Sequence, residues 1–387
     1  NITLNLGFFL VLLVCGFRTF KMAMPIWLNE KLFMKRILCN HLKEFSKDFN
    51  ERKILFSEHH LSHAASAFFP SPFEKALILT ADGVGEWTTT SVCIGNKNKI
   101  KFLKEIHFPN SIGLLYSAFT YYIGFKVNSG EYKLMGLAPY GKPRFADKIK
   151  ENLIDIKEDG SFRLNQDYFD YSTGFRMTNE KFNLLFNEIP RKPESKIKEF
   201  HKDIAASIQI VTEELLIKIL KNLKKEYSYE NLCLAGGVAL NCVANGKIKK
   251  EKIFKNIWIQ PAAGDAGGAI GSALAVWHMF FKKRRIINKD DSMKGGFLGP
   301  SFKREEILKC LNMLGANYDD LNINKMITKT ATAISKGKAV GWFQGKMEFG
   351  PRSLGSRSIL ADPRNKSMQK KLNLKIKYRE SFRPFAP

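Results

Sequence analysis

Hydrophobic and polar positions along this chain predict a mixed α/β protein. Residues 18–50 carry apolar positions among lysines at helical spacing, which predicts basic amphipathic helices. From residue 54 onward, short apolar runs replace that pattern. The run at 75–80 predicts a buried strand that ends in Ala-Asp-Gly-Val-Gly. Residues 88–94 and 100–106 predict the next two strands of a hairpin or meander.

The rest of the chain alternates between helical periodicity and short apolar runs. Helices are predicted over 113–125 and 195–225, separated by a polar, aromatic insertion at 145–195 that predicts irregular structure. Two strand–glycine–helix units follow at 232–241 and 257–268. A basic, then Gly- and Pro-rich stretch predicts a linker at 282–304. Beyond it, the pattern predicts helices over 305–314 and 325–338 and a strand over 339–343.

The first residues need a separate interpretation. Residues 4–17 are apolar, but the run is too short for a membrane span and lacks the flanking features of a signal peptide. The chain also begins with Asn rather than Met. We therefore expect no membrane association, and expect this end to be a truncated or misread end of a longer protein.

Composition narrows the choice of partners. Lys and Arg number 62 against 37 Asp and Glu, which gives a net charge of +25. Three explanations fit this charge: a nucleic-acid partner, a compositional bias of the source genome, and a site for small anionic substrates. Because the basic residues are spread along the chain, the compositional bias and the anionic substrates are favoured, and we expect no nucleic-acid partner. The six cysteines form no CxxC pair, which fits a reducing cytoplasm and argues against a thiolate zinc site.

Two histidines and two aspartates form the candidate metal site. His59 and His63 are four residues apart in EHHLSHAASAFF, so a helix would place both rings on one face. Asp82 and Asp265 each follow an apolar strand and stand among small residues, where a carboxylate faces the ligand crevice of an α/β sheet. There is no HExxH motif. This nitrogen and oxygen donor set suits iron(II), manganese or zinc without deciding among them.

Two further segments are typical of ligand loops. Gly236 and Gly237 form a Gly-Gly turn that leads to Asn241, although the turn is neither a Walker A motif nor a GxGxxG motif. Residues 341–364 place three arginines among Gly, Pro and Ser after a predicted strand, and arginine binds phosphate oxygens well. These arginines are Arg352, Arg357 and Arg364.

Taken in order, several segments resemble the O-carbamoyltransferase family of nodulation-factor, cephamycin and tobramycin biosynthesis. The resemblance covers residues 18–387 and rests on EHHLSHAASAFFPSPF, TADGVGEW, SGEYKLMGLAPYG, LAGGVALNCVANGKI, QPAAGDAGGAIGSAL, GWFQGKMEFGPRSLGSRSILADPR and ESFRPFAP. It implies a domain of the actin-like ATPase (ASKHA) superfamily, truncated at its start, over 18–300. The beginning of a YrdC-like α/β domain would then follow over 301–387, and residues 1–17 match nothing in the family.

The resemblance also implies a reaction and roles for residues. ATP and carbamoyl phosphate give carbamoyl adenylate, and the carbamoyl group passes to a hydroxyl of a small-molecule or glycan acceptor. The resemblance is also compatible with a homodimer. The metal, iron(II) by resemblance, is expected on His59, His63, Asp82 and Asp265. Carbamoyl phosphate is expected on Arg352 and Arg383. The residues expected to line the cleft are Glu131, Lys133, Gly236, Gly237 and Asn241.

The sequence departs from the family at both ends. Nothing in it matches the family's opening strand and phosphate loop, and the chain stops near the beginning of the YrdC-like domain. We therefore expect this piece to be inactive alone. Two other interpretations remain open: a transferase of the tRNA threonylcarbamoyl type, and an inactive fragment or basic binding module.

Overall fold

A computed structural model of the protein describes residues 16–385, so most of the apolar segment at 4–17 lies outside the described range. The chain divides into two compact units, with the boundary after Lys289. That boundary falls within the predicted linker at 282–304. Strands and helices both contribute to the described chain, which confirms the mixed α/β prediction.

A five-stranded sheet forms the centre of the first unit. Its strand order is β3-β2-β1-β6-β7, with β1 Lys75–Gly85, β2 Thr88–Asn96, β3 Lys99–His107, β6 Asn231–Ala235 and β7 Asn256–Ile259. The first three strands form the predicted antiparallel meander, whereas β6 and β7 run parallel to β1. Because β1 and β6 are parallel, their carboxyl ends meet at one edge of the sheet.

The helices of the first unit are α1 Phe17–Ile26, α2 Met34–Phe45, α3 His59–Phe68, α4 Ile112–Tyr122, α5 Glu131–Leu137, α6 Ala146–Asn152, α7 Glu180–Phe186, α8 Glu199–Tyr227, α9 Cys242–Lys250 and α10 Asp265–Ala275. Helix α3 packs on β1 and β6, and α10 packs along α3. The core between α3 and the sheet is made of small and apolar side chains, among them Ala64, Phe68, Ile78 and Cys233. Small residues on α3 let it lie close to the sheet.

Two predictions for the first unit need comment. Residues 18–50 do form helices, but Cys39 is the buried residue of α2 and much of its apolar face is exposed. The prediction of irregular structure over 145–195 is wrong in part, because this segment contains α6, α7 and a small hairpin of β4 (Ile154–Ile156) and β5 (Phe162–Leu164). Phe182 and Phe186 of α7 pack against Phe119 and Tyr122 of α4, so the aromatic residues stabilise short elements through distant contacts.

The second unit, from residue 290, contains the two helices and the strand predicted for it, which are α11 Arg304–Met313, α12 Ile323–Ser335 and β8 Val340–Phe343. It also contains two elements that were not predicted, the strand β9 Arg357–Leu360, which pairs antiparallel with β8, and the helix α13 Met368–Lys375. Its buried apolar residues are Met293, Met368 and Leu372. Within residues 16–385, no helix has the length and apolar character needed to cross a membrane.

Candidate metal centre

Helix α3 supplies the two histidines of the site. His59 and His63 stand one turn apart, and their Nε2 atoms lie 3.0 Å from each other. The side chain of His63 is 1% exposed and that of His59 is 32% exposed. The predicted helical placement of HxxxH is therefore confirmed, with one ring inside the protein and the other at its surface.

Asp82 reaches the histidines from the irregular end of β1. The pairing of β1 with β2 shifts register between Ala81 and Gly85, which turns the chain at this point. The Oδ2 atom of Asp82 lies 3.0 Å from Nε2 of His59 and 3.2 Å from Nε2 of His63. Its other oxygen, Oδ1, accepts the N–H of Gly237 at 3.1 Å. That second bond fixes the carboxylate so that Oδ2 faces both rings.

Asp265 approaches from the first turn of α10. Its Oδ1 atom lies 3.6 Å from Nε2 of both histidines. Helix α10 can come this close to α3 because Gly271 faces the backbone of Ser62. A Cβ atom at position 271 would stand 1.7 Å from the Ser62 carbonyl oxygen. Gly271 is not among the predicted site residues, because its role depends on the helix packed against it.

The four side chains fit a single metal ion. One donor atom from each lies within 4.8 Å of all the others. Donors that share an ion at bond lengths of about 2.1 Å stand roughly 3.0 to 3.4 Å apart, depending on whether the angle is octahedral or tetrahedral. The separations of 3.0, 3.2 and 3.6 Å around Nε2 of His63 lie at or near that range. His63 Nδ1 is buried without a hydrogen-bond partner among the described residues, so the polar contacts of this ring run through Nε2.

The charges of the two carboxylates favour positive charge at this cluster. Burial of His63 disfavours its charged form, but the carboxylates of Asp265 and Asp82 outweigh burial and raise the pKa of His63 to about 9. Burial likewise opposes ionisation of Asp82, yet His59 and His63 hold its pKa far below the ordinary range. His63 also lowers the pKa of Asp265. Two ionised carboxylates beside two imidazoles are the electrostatic setting that a divalent cation requires.

The third histidine of the motif does not join the cluster of donors. His60 points to Ser91, with its Nδ1 atom 2.9 Å from the Ser91 hydroxyl oxygen. Its ring is buried, and desolvation lowers its pKa to about 4. His60 is therefore a neutral core residue.

The residues expected to line a cleft fall into two groups. Gly236 and Gly237 adjoin the cluster: Gly236 has a φ of +87°, and a Cβ there would meet the Ala81 carbonyl oxygen at 2.2 Å. Glu131 instead accepts the Ser117 hydroxyl at 2.7 Å and backbone N–H groups at the start of α5. The ammonium of Lys133 lies 5.5 Å from the centre of the Phe125 ring.

Asn241 belongs to a polar network behind the Gly236–Gly237 turn. Its side chain caps α9 by accepting the N–H of Ala244 and donates to Oε1 of Gln209 at 3.0 Å. The same Gln209 oxygen accepts the Tyr116 hydroxyl at 2.8 Å. Gln209 was not predicted as a site residue. Its long-range contacts hold the turn whose Gly237 N–H orients Asp82.

The two arginines predicted to bind carbamoyl phosphate lie in the second unit. Arg383 is buried, with Nη1 3.3 Å from a carboxylate oxygen of Glu380. Arg352 is exposed in the loop between β8 and β9. Their binding of a ligand stays a prediction.

The chain is similar in sequence to known proteins. The family model of the carbamoyltransferase N-terminus matches residues 14–274, and that of the carbamoyltransferase C-terminus matches residues 331–387. An uncharacterised protein of Synechocystis sp. is 58% identical over 376 residues, covering 96% of this chain and 61% of that protein.

Two nodulation proteins also match. NolNO of Sinorhizobium fredii is 35% identical, over 94% of this chain and 51% of NolNO. NolO of Bradyrhizobium diazoefficiens is 34% identical, over 85% of this chain and 57% of NolO. The chain thus spans between 51% and 61% of the length of these three relatives.

Proposed function

This chain belongs to the carbamoyltransferase family, and from that membership we propose that the protein transfers a carbamoyl group to a hydroxyl of a small-molecule or glycan acceptor. The carbamoyl group would come from carbamoyl phosphate, by way of carbamoyl adenylate made with ATP. The structural observation that supports the proposal is the convergence of His59, His63, Asp82 and Asp265 on one point, where a metal ion could assist the transfer.

Those four residues would hold iron(II). When bound, such an ion supplies Lewis-acid polarisation of a phosphate or carbamoyl oxygen.

The burial of the four donors is uneven, which determines from which side a substrate can reach the site. The Asp265 side chain is 84% exposed, whereas that of His63 is 1% exposed. The cluster is therefore closed on the His63 side and open on the Asp265 side, as expected for a site that admits a substrate rather than a purely structural one.

The protein's own groups fix this geometry before any substrate binds. The Gly237 N–H holds one oxygen of Asp82 and leaves the other for the histidines. Ser111 donates to the carbonyls of Asp82 and Gly83 and so fixes the backbone at the end of β1. Because these side chains are already held in place, they lose little conformational entropy when a ligand binds, and the four donor atoms stay in the positions that the reaction requires.

Carbamoyl phosphate would bind in the second unit, on Arg352 and Arg383. Guanidinium groups suit both the phosphate and the charge that develops during acyl transfer. The buried position of Arg383 makes its hydrogen bonds strong, because solvent competes little there.

The fold of the first unit is proposed to be of the actin-like ATPase (ASKHA) type. Its sheet supports this, because an antiparallel meander of three strands is extended by two parallel strands in the order β3-β2-β1-β6-β7. Ligands of open α/β sheets bind at the carboxyl ends of parallel strands, and Asp82 and Gly236 both stand there. For the second unit we propose a YrdC-like fold.

The reaction can be tested by isotope exchange. Protein expressed from its complete reading frame should exchange labelled pyrophosphate into ATP only when carbamoyl phosphate is present. Arg383→Ala should abolish this exchange, while Arg304→Ala, an exposed change on α11, should leave it intact. Exchange without carbamoyl phosphate would exclude the proposed carbamoyl adenylate.

A further inference from the structure

A carboxylate occupies the centre of the loop between β8 and β9. One oxygen of Glu348, Oε1, accepts three backbone N–H groups: from Leu354 at 3.1 Å, from Ser356 at 2.7 Å and from Arg357 at 3.2 Å. We call these three N–H groups the amide cradle. Burial opposes ionisation of Glu348, but its own backbone N–H together with the three amides of the cradle outweighs burial and lowers the pKa of the Glu348 carboxyl, so the cradle holds an anion.

The loop is shaped for this purpose by its backbone. Gly355 has a φ of +110°, a conformation that L side chains rarely adopt, and it separates the N–H of Leu354 from that of Ser356. A sign change in φ along such a segment turns successive N–H groups to one side, which forms a concave anion site. The Ser353 hydroxyl donates to the Arg357 carbonyl at 2.6 Å and closes the loop.

Two arginines belong to the segment that forms the cradle. Arg352 lies within the loop, and Arg357 follows it as the first residue of β9. The Arg357 guanidinium donates to the Gln344 carbonyl at 2.8 Å and lies 3.7 Å from the centre of the Phe343 ring, which anchors the end of the cradle to β8. Three N–H groups on one oxygen, with arginines in the same loop, suit the oxygens of a phosphate group.

We propose that the amide cradle is a phosphate-binding site of the second unit, and that Glu348 acts as an internal competitor which must leave when a phosphorylated substrate binds. The inference rests on the proposed function, in which this unit takes carbamoyl phosphate. A carboxylate tethered nine residues or fewer from its amides has a high effective concentration, so it keeps the cradle filled and raises the phosphate concentration needed.

Two substitutions should act in opposite directions. Glu348→Gln keeps the shape and an acceptor oxygen but removes the charge. It should tighten binding of inorganic phosphate about tenfold, because charge-assisted hydrogen bonds are roughly twice as strong as neutral ones. Gly355→Ala adds a methyl group that meets no atom within 4 Å, so its effect comes only from the backbone conformation. It should weaken phosphate binding at least tenfold. Glu305→Gln, an exposed change on α11, is the matched control.

The measurement is calorimetric titration of the full chain with inorganic phosphate and, separately, with carbamoyl phosphate. Unchanged phosphate affinity in both Glu348→Gln and Gly355→Ala would overturn the inference. Should a variant fail to fold, [¹⁵N]arginine-labelled wild-type protein gives the answer instead. The Arg357 amide signal must shift on addition of phosphate, and an unmoved signal at saturation would overturn the inference.

The same titrations separate this inference from the proposed function. If Glu348→Gln tightens phosphate but carbamoyl phosphate binds no better than phosphate, the cradle stands and the proposed substrate fails. If carbamoyl phosphate binds in preference and Glu348→Gln changes nothing, the substrate stands and the cradle fails.

Discussion

Replacing Gly271 by Ala tests whether the spacing between α3 and α10 sets the geometry of the proposed metal centre. The new Cβ would lie 1.7 Å from the Ser62 carbonyl oxygen, 2.7 Å from the Ser62 carbonyl carbon and 2.8 Å from the Ser66 nitrogen. Ordinary contact begins at 3.4 Å, so α10 must retreat from α3 by 3.4 − 1.7 = 1.7 Å. Backbone atoms form the obstacle, and a side-chain rotation cannot relieve it.

That displacement moves Asp265 away from the histidines. Its Oδ1 atom now lies 3.6 Å from both Nε2 atoms, and metal–ligand distances tolerate changes of about 0.2 Å. We expect Gly271→Ala to lose Asp265 as a ligand and to lower metal affinity about 10- to 100-fold. Overpacking should cost about 1–3 kcal/mol of stability, offset by about 1 kcal/mol because Ala favours a helix over Gly.

The matched control lies on the same helix. A Cβ at Gly268 would stand 3.8 Å from His63 Cε1, an ordinary contact, so Gly268→Ala should keep the metal and gain stability. Metal affinity is measured by competition with a chromophoric chelator, and stability by thermal unfolding of the metal-free protein. Equal affinity and equal midpoints for the two variants would refute the spacing argument.

Two further predictions concern stability. Arg285 donates to the carbonyls that end α3 and lies 4.3 Å from the centre of the Phe68 ring, contacts that a lysine cannot reproduce. Arg285→Lys should cost about 2 kcal/mol in urea unfolding, whereas the exposed Arg284→Lys should cost nothing measurable; equal midpoints would contradict this role. Burial lowers the pKa of His201 from 6.5 to about 4, so the unfolded chain binds more protons below pH 6.5, and stability falls as pH drops toward 4. At pH 5 this costs about 2 kcal/mol, which His201→Asn should remove and the exposed His41→Asn should not. A pH dependence of unfolding unchanged by His201→Asn would exclude the explanation.

Local patterns in the sequence predicted much of the fold and the membership of the donor cluster. The spacing of His59 and His63 depends only on helix geometry, and the placement of Asp82 depends on where an apolar run ends. Both are local properties, so one sequence suffices to predict them. The strands of the meander were found for the same reason, because their apolar runs are bounded by turn residues.

The features that the sequence did not predict depend on contacts between residues that lie far apart in the chain. Gly271 matters only because Ser62 lies opposite it, and Gln209 matters only because Tyr116 and Asn241 contact the same amide. The short helix α7 was predicted as irregular, because its Phe182 and Phe186 are stabilised by α4, more than 50 residues earlier in the chain. A single sequence carries no signal for such pairings.

The metal content of the purified protein tests the central claim most directly. Protein isolated without oxygen should hold about one iron(II) per chain, coordinated by nitrogen and oxygen in X-ray absorption spectra. His63→Ala and Asp265→Ala should each lower the metal affinity at least tenfold, while His107→Ala should keep it. Unchanged metal content and spectra in both site variants would show that these four side chains do not form the metal centre.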